Sequence, residues 1–450
     1  MRGWVLVVLF SMSFIFLPLT SWAGKDAGQG LKVGIGITVI NPFLDVPLAG
    51  YYYPRMPVGI HDDLHAKALV LDNGHDQIVL VACDLVELPR AAVENARQRI
   101  QKMFGIPPDH VLITATHSHT GPQMVPEYVQ KLGHWIADSV EMAEHNKQPA
   151  TLREAVEEEP SLPHNRRYLM KDGKVVTNPG FLNPNIVRPV GPIDPRLPVL
   201  TATTPQGRRI LTWVNYSMHQ DTVGGDLISA DYSYYLERLL SVFEGPDMTS
   251  IFTIGAAGNI NHWNFDQPGP QRGFGTAKRL GEVLGADVLK AYTHLHPVDS
   301  DQIRAKSSEL ALPYQNITDG DIKKAEKILS VPPPPDVDFT LDRVWATKVI
   351  KIRDSKQSTI SAEVQVLTLG PLAFVGVPGE LFVELGKQII ESSPFPHTYI
   401  LELANQDIGY IPTKEAFGQG GYEPTSAVFA PGGGERIVKE ALVLLKECHK

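Results

Sequence analysis

Short apolar runs alternate along this chain with segments in which apolar residues recur every three to four positions. The runs at 32–39, 66–71, 78–83, 111–116, 209–215, 250–254, 363–369, 372–377 and 399–403 predict strands. The periodic segments at 91–104, 128–144, 232–243, 276–293, 321–329, 381–392 and 435–448 predict helices. Asp231 stands where an N-cap is expected for the helix that begins at Tyr232. His449 and Lys450 place favourable charge at the end of the last one. This rhythm predicts an α/β fold: mixed β-sheets layered with helices, in a single large domain. No internal repeat stands out. Residues 160–195, rich in Pro, Asn and Arg, predict a long ordered loop of the kind that often carries function. The four prolines at 332–335 predict a stiff surface connection rather than an interdomain linker, because strands after them complete motifs begun before them.

Composition narrows the class. The 450 residues are 43% hydrophobic and 20% charged, which suits a globular protein with ample core. Residues 1–23 read as a signal peptide: Arg2 is the positive start, Trp4 to Leu19 is almost wholly apolar, and Ser21-Trp22-Ala23 offers a cleavage site. The run is short for a membrane span, and no later stretch is long and apolar enough. The expected location is therefore secreted or periplasmic. Residues 24–450 carry a net charge of −10, the −9 of the whole chain less the +1 of Arg2. An acidic chain without a basic stripe is not a nucleic-acid binder. Cys83 and Cys448 are the two cysteines, too few for a disulfide scaffold. Cys83 reads as a small buried hydrophobe, and a bridge to Cys448 has no support in the pattern.

The chemistry lies at strand ends. The run Val111-Leu112-Ile113-Thr114-Ala115 leads into Thr116-His117-Ser118-His119-Thr120-Gly121-Pro122. Two histidines two positions apart share a face of an extended chain. The ends of strands are where α/β proteins hold ligands, and neutral imidazole is a common metal ligand. A turn whose histidines cap backbone groups is the competing reading. Thr212–His219 repeats the logic, a strand that ends in a histidine. In Val377-Pro378-Gly379-Glu380 a strand meets a carboxylate at a helix start, where a glutamate could equally serve the helix dipole. Two histidines and a glutamate make the donor set of hydrolytic zinc sites. The turn Gly255-Ala256-Ala257-Gly258-Asn259-Ile260-Asn261 allows close backbone approach. Arg166 in the long loop could hold an oxyanion, or be a solvated loop arginine.

Taken together, Ala115–Pro122, Asn165-Arg166, His219, Pro378-Gly379-Glu380, Tyr410-Ile411-Pro412-Thr413 and Tyr422-Glu423 resemble the neutral/alkaline (non-lysosomal) ceramidase family, in order and approximate position. Gly34–Ile40, Gly59-Ile60-His61 and Cys83-Asp84-Leu85 are similar too. The resemblance covers most of residues 24–450 and is to the catalytic N-terminal domain, without the immunoglobulin-like C-terminal domain of family members. It implies one catalytic Zn²⁺ held by His117, His219, Glu380 and Tyr410. It makes His119 the candidate proton donor to the departing amine, and Arg166 and Tyr422 the candidates that stabilise the oxyanion. Asp84 is our candidate to orient one of the ligating imidazoles. The chain departs from the family in carrying Asn259 and Asn261 where the family has Asp and Ser, which removes a serine nucleophile from that turn. It also reads His-Ser-His-Thr for the family's His-Thr-His-Ser.

The expected function is an exported zinc-dependent hydrolase of linear amides, cleaving the N-acyl bond of ceramide or a related N-acyl lipid with zinc-activated water. The alternatives are a zinc amidase or esterase acting on a cell-wall or carbohydrate substrate, and a non-catalytic exported binding protein of the same fold. The expected partner is a small-molecule or lipid amide, with any membrane contact confined to the membrane surface.

Overall fold

The computed structural model describes residues 1, 30–299, 302–332 and 340–450. The expected signal peptide, apart from Met1, lies outside the described residues, as do Pro333, Pro334 and Pro335 of the proline run.

Three larger sheets are built on one plan. In the first, β1 (Lys32–Val39), β2 (His65–Asp72), β3 (Gln77–Cys83) and β4 (Val111–Ala115) lie in the order β4-β3-β2-β1. Only β3 and β4 run parallel, joined through α1 (Arg90–Phe104). Both faces of β4 are buried, which is why it reads as a continuous apolar run rather than an alternating one. Helix α1 and α2 (Pro126–His145) cover one face with Ala92, Ile100, Ile136 and Val140.

The second sheet holds β5 (Thr151–Glu158), β6 (Arg196–Thr203), β7 (Arg209–Tyr216) and β8 (Thr249–Ile254), in the order β8-β7-β6-β5. Its parallel pair is β7 and β8, joined through α3 (Tyr232–Glu244) and covered by α3 and α4 (Phe274–Ala291). Asp231 caps α3 as expected, its carboxylate accepting from the amides of Tyr232, Thr222 and Val223.

The third sheet orders β9 (Ile303–Pro313), β10 (Thr359–Leu369), β11 (Leu372–Gly376) and β12 (His397–Leu401) in chain order. Helices α5 (Asp319–Leu329) and α6 (Leu341–Ser355) intervene between β9 and β10. The parallel pair is β11 and β12, joined through α7 (Val383–Glu391), and α8 (Gly433–His449) packs on the same side.

The inner faces of all three sheets share one core in which Leu112, Trp213 and Phe374 are each fully buried. The ring of Trp213 stands edge-on to Phe374 at 5.4 Å and lies 5.2 Å from Tyr399. The strands at the parallel edges, β4, β8 and β12, meet one another. The amide of Asn405 donates to Ile113 at 2.7 Å, that of Ala115 to Leu403 at 3.3 Å, and that of Glu402 to Ile254 at 3.3 Å. The carboxyl ends of three parallel pairs therefore open onto one place.

Two expectations need amending, and the reading of the cysteines holds. Residues 160–195 are not purely loop: Arg167–Met170 pairs with Val175–Thr177 and Ile186–Pro189 in a small sheet. The strands β5, β6 and β9 and the helix α6 were not expected. Cys83 and Cys448 are both free and buried in different cores, so they form no bridge.

Candidate metal centre

His117 lies just past the end of β4, with a backbone φ of 68°. A non-glycine residue there carries strain of roughly 1–3 kcal/mol, held in place by the surrounding bonds. Its Nδ1–H donates to the Val86 carbonyl at 2.8 Å. His219 follows β7, and its Nδ1–H donates to the Ala257 carbonyl at 2.8 Å. A carbonyl can only accept, so each Nδ1 carries a hydrogen, and each Nε2 is the nitrogen left to face Glu380 or a cation. Asp84, expected to orient one of these rings, does not: its carboxylate accepts from the His65 amide at 2.9 Å. Backbone carbonyls do that work instead.

Glu380 stands at the start of the third sheet's crossover. Its Oε2 lies 3.3 Å from Nε2 of His117 and 3.1 Å from Nε2 of His219. Gly258 makes this approach feasible, since a Cβ there would sit 2.3 Å from the Glu380 carbonyl oxygen. Tyr410 is paired in register with Glu380 across a two-residue parallel bridge. It lies beside Arg166, and the charges of Arg166 and Glu380 both act on its hydroxyl. His117, His219, Glu380 and Tyr410, drawn from separate strand ends, are thus brought together.

His119 joins them, though by a turn rather than by strand alternation, because β4 has already ended at Ala115. Its Nε2 is 3.2 Å from Nε2 of His117, and its buried Nδ1 lacks a hydrogen-bond partner, 3.9 Å from Asp221. Asp221 in turn accepts from the Tyr51 hydroxyl and from Arg272. Nitrogens of His117, His119 and His219 all lie within 4.8 Å of one another. Two donor sets therefore overlap, one with Glu380 and one with His119.

Arg166 is held rigidly. Its Nε donates to Glu423 at 2.8 Å and its Nη2 to the Gly258 carbonyl at 2.8 Å. Glu423, fully buried, also takes Arg167 and Thr177. The guanidinium carbon lies 5.3 Å from the ring centre of Tyr410 and 6.0 Å from that of Tyr422. The Tyr422 hydroxyl is 3.2 Å from that of Tyr52. Asn259 and Asn261 are structural: Asn259 bonds Glu384 and the Val383 amide, and Asn261 bonds Asn178.

Burial pushes His117 down, but Glu380 outweighs it and lifts the imidazole to about 9. Burial takes His119 the other way, to about 4, with Asp221 opposing and His117 adding. Burial, Arg166 and His117 hold His219 well below its ordinary value. Burial would raise Glu380, yet the two imidazoles hold it well below the usual carboxylate range. Burial keeps Tyr410 protonated against the pull of Arg166.

These groups fit a divalent cation. Nε2 of His219 and Oε2 of Glu380 are buried without a hydrogen-bond partner. Lone pairs aimed at a carboxylate are compatible only if a proton or a cation lies among them. Ligand bonds of about 2.0–2.2 Å in a tetrahedral zinc site put donor atoms roughly 3.3–3.6 Å apart. The observed 3.3 Å spacing meets the near edge of that range, and the 3.1 Å spacing falls about 0.2 Å short of it.

The fold agrees with known structures. The neutral ceramidase of Pseudomonas aeruginosa superposes with a TM-score of 0.74 at 18% identity, over 93% of this chain and 74% of that one. A ceramidase complexed with C2 gives 0.73 at 17% identity, over 93% of this chain and 75% of that one. The chain has the neutral ceramidase fold. The resemblance read from its motifs is thus matched in three dimensions, with mixed sheets and helices arranged as expected. By sequence the likeness is thin. Neutral ceramidase A of Dictyostelium discoideum is 26% identical over 133 residues, 28% of this chain and 19% of that relative. No protein-family model matches. Among the described residues, no helix is long and apolar enough to cross a membrane.

Sequence reasoning did not single out Glu402 or Asp221 as parts of the site, and it quoted Glu423 without giving it a role. A lone acid inside the apolar run Tyr399–Ala404 was the available signal for Glu402, because unpaired acids are rarely buried there without a purpose.

Proposed function

We propose that this chain is an exported, zinc-dependent amide hydrolase that cleaves the N-acyl bond of ceramide or a related N-acyl lipid. The observation that carries this reading is that His117 Nε2 and His219 Nε2 both lie within 3.3 Å of Glu380 Oε2, beside the buried Arg166. The neutral ceramidase fold supports the substrate class, and the apolar, small-x-Ala start of the chain supports export. His117, His219, Glu380 and Tyr410 would hold the ion. Bound zinc supplies a water of lowered pKa and a polarised carbonyl oxygen.

The chain's own groups do the rest. Arg166 and Tyr422 face the oxygen that gains charge as water adds to the amide carbon. Arg166 serves without reorganisation, because Glu423 and the Gly258 carbonyl fix its guanidinium. His119 is neutral near pH 7, so it starts as a base. Its Nε2, which faces the donor cluster, takes the proton lost by the water, with Asp221 on the Nδ1 side beside the charge that forms. It then gives that proton to the amide nitrogen as the C–N bond breaks, leaving a carboxylic acid and an amine, which ionise to a carboxylate and an ammonium.

The test is fatty-acid release from N-acyl sphingosine against a panel of N-acyl amino acids, amino sugars and cell-wall amides. Turnover of the sphingolipid alone supports the proposal. Turnover confined to the non-lipid amides transfers the site to that chemistry. A wild-type protein that holds no zinc and hydrolyses nothing after zinc addition ends the enzyme reading.

A further inference from the structure

Glu402 is fully buried just past the end of β12, in an otherwise apolar run. Its Oε2 accepts two hydrogen bonds, from the Ala257 amide at 3.0 Å and from the Leu381 amide at 2.9 Å. Its Oε1 is buried without a partner. Its own amide donates to Ile254 at 3.3 Å, and its carbonyl accepts from the Thr114 hydroxyl at 2.6 Å. One residue thus touches the segments that lead to His117, that orient His219 and that carry Glu380.

Ala257 is the residue whose carbonyl fixes the His219 ring, and Leu381 directly follows Glu380. Both are fully buried. Their amides converge on one oxygen. Without an acceptor, two buried N–H dipoles would face each other unsatisfied, and the two segments would separate or turn. The Gly258 amide to Leu381 carbonyl bond, 2.8 Å, ties the same segments but cannot satisfy those two donors.

We infer that Glu402 is a positioning residue whose Oε2 fixes the His219-orienting carbonyl against the Glu380 backbone, and so sets the spacing of the metal donors. Burial pushes its carboxyl well above the usual carboxylate range, and Oε2 accepts from both amides in either charge state. A glutamine keeps that acceptor and places its amide NH₂ where the unpartnered Oε1 now sits.

The inference rests on the zinc reading for its first readout only. Zinc affinity of the full chain is measured by chelator competition. Glu402→Gln should stay within about threefold of wild type, while Glu402→Ala should bind about 10- to 100-fold more weakly. The second readout needs no metal: the hydrogen-bonded Nδ1–H resonance of His219 in ¹⁵N-histidine-labelled protein. It should persist in Glu402→Gln and disappear in Glu402→Ala. Should the alanine variant fail to fold, Glu402→Asp, one methylene short of both amides, replaces it with the same expected losses. An alanine or aspartate variant that keeps both readouts would overturn the inference. So would a glutamine variant that loses them, because charge rather than the shared acceptor would then be at work. A wild type that binds no zinc counts against the proposed function, and the resonance still decides the role of Glu402.

Discussion

Zinc affinity should fall steeply and with unit slope as pH is lowered. In the metal-free chain His117 carries a proton up to about pH 9, shared in effect with Glu380. A cation bound at His117 Nε2 must displace that proton. His219 and His119 are neutral near pH 7 and Glu380 is already ionised, so no second proton is released. Each pH unit below about 9 therefore costs about 1.4 kcal/mol, and affinity should drop about 100-fold between pH 8 and 6. The assay is competition with a chelator of known proton affinity across that range, with His117→Gln as the control that flattens the slope. The same linkage acts on folding. The raised His117 contributes stability to the metal-free chain that is full below its unfolded value near 6.5 and is lost as pH rises through about 9. The zinc-induced rise in Tm should accordingly be larger at pH 8.5 than at pH 6. A flat pH profile, or a slope of two, would show that the proton is not where the His117–Glu380 contact puts it.

Three further substitutions probe separate links. Gly258→Ala places a methyl 2.3 Å from the Glu380 carbonyl oxygen, and calorimetric titration should show zinc binding weakened about 10-fold or more. Arg166→Lys loses the planar fork that meets Glu423 and Gly258, and kcat on the substrate the panel identifies should fall about 100- to 1,000-fold with KM little changed. Trp213→Ala empties the shared core of the three sheets, and denaturant titration should show a loss of about 3–5 kcal/mol with zinc stoichiometry unchanged.

Much of the fold was legible because apolar runs mark the strands at the parallel edges, which are buried on both faces. β4 is five buried residues in a row. What stayed hidden has identifiable causes. In β5 the inward positions include Glu154 and Glu157, which pair with His397 and Lys290, so the apolar alternation is broken by buried acids. β6 carries Pro198, which argues against a central strand. The proline is tolerated because β7 pairing begins only at Val199, leaving Pro198 opposite Val156 of β5 alone. β9 is an edge strand whose inward positions, Ile303 and Ala305 and then Leu310 and Leu312, are interrupted by Ser307 and Ser308, so the alternation breaks in mid-strand. At the site, motif order pointed to His117, His219, Glu380 and Tyr410, which the fold brings together. The partners that fix them were less visible: two are backbone carbonyls, of Val86 and Ala257, which no side-chain pattern encodes. Asp84 was the natural guess for that role, and the geometry assigns it to the His65 amide instead.

The central claim is that one zinc ion takes Nε2 of His117, Nε2 of His219, the Glu380 carboxylate and the Tyr410 hydroxyl, leaving His119 free to carry a proton. Zinc-edge X-ray absorption on the loaded protein, with and without His119→Ala, tests it directly. The account predicts two imidazoles and the rest oxygen, with a spectrum unmoved by His119→Ala. Three imidazoles, falling to two in that variant, would contradict it and give the metal to the three histidines.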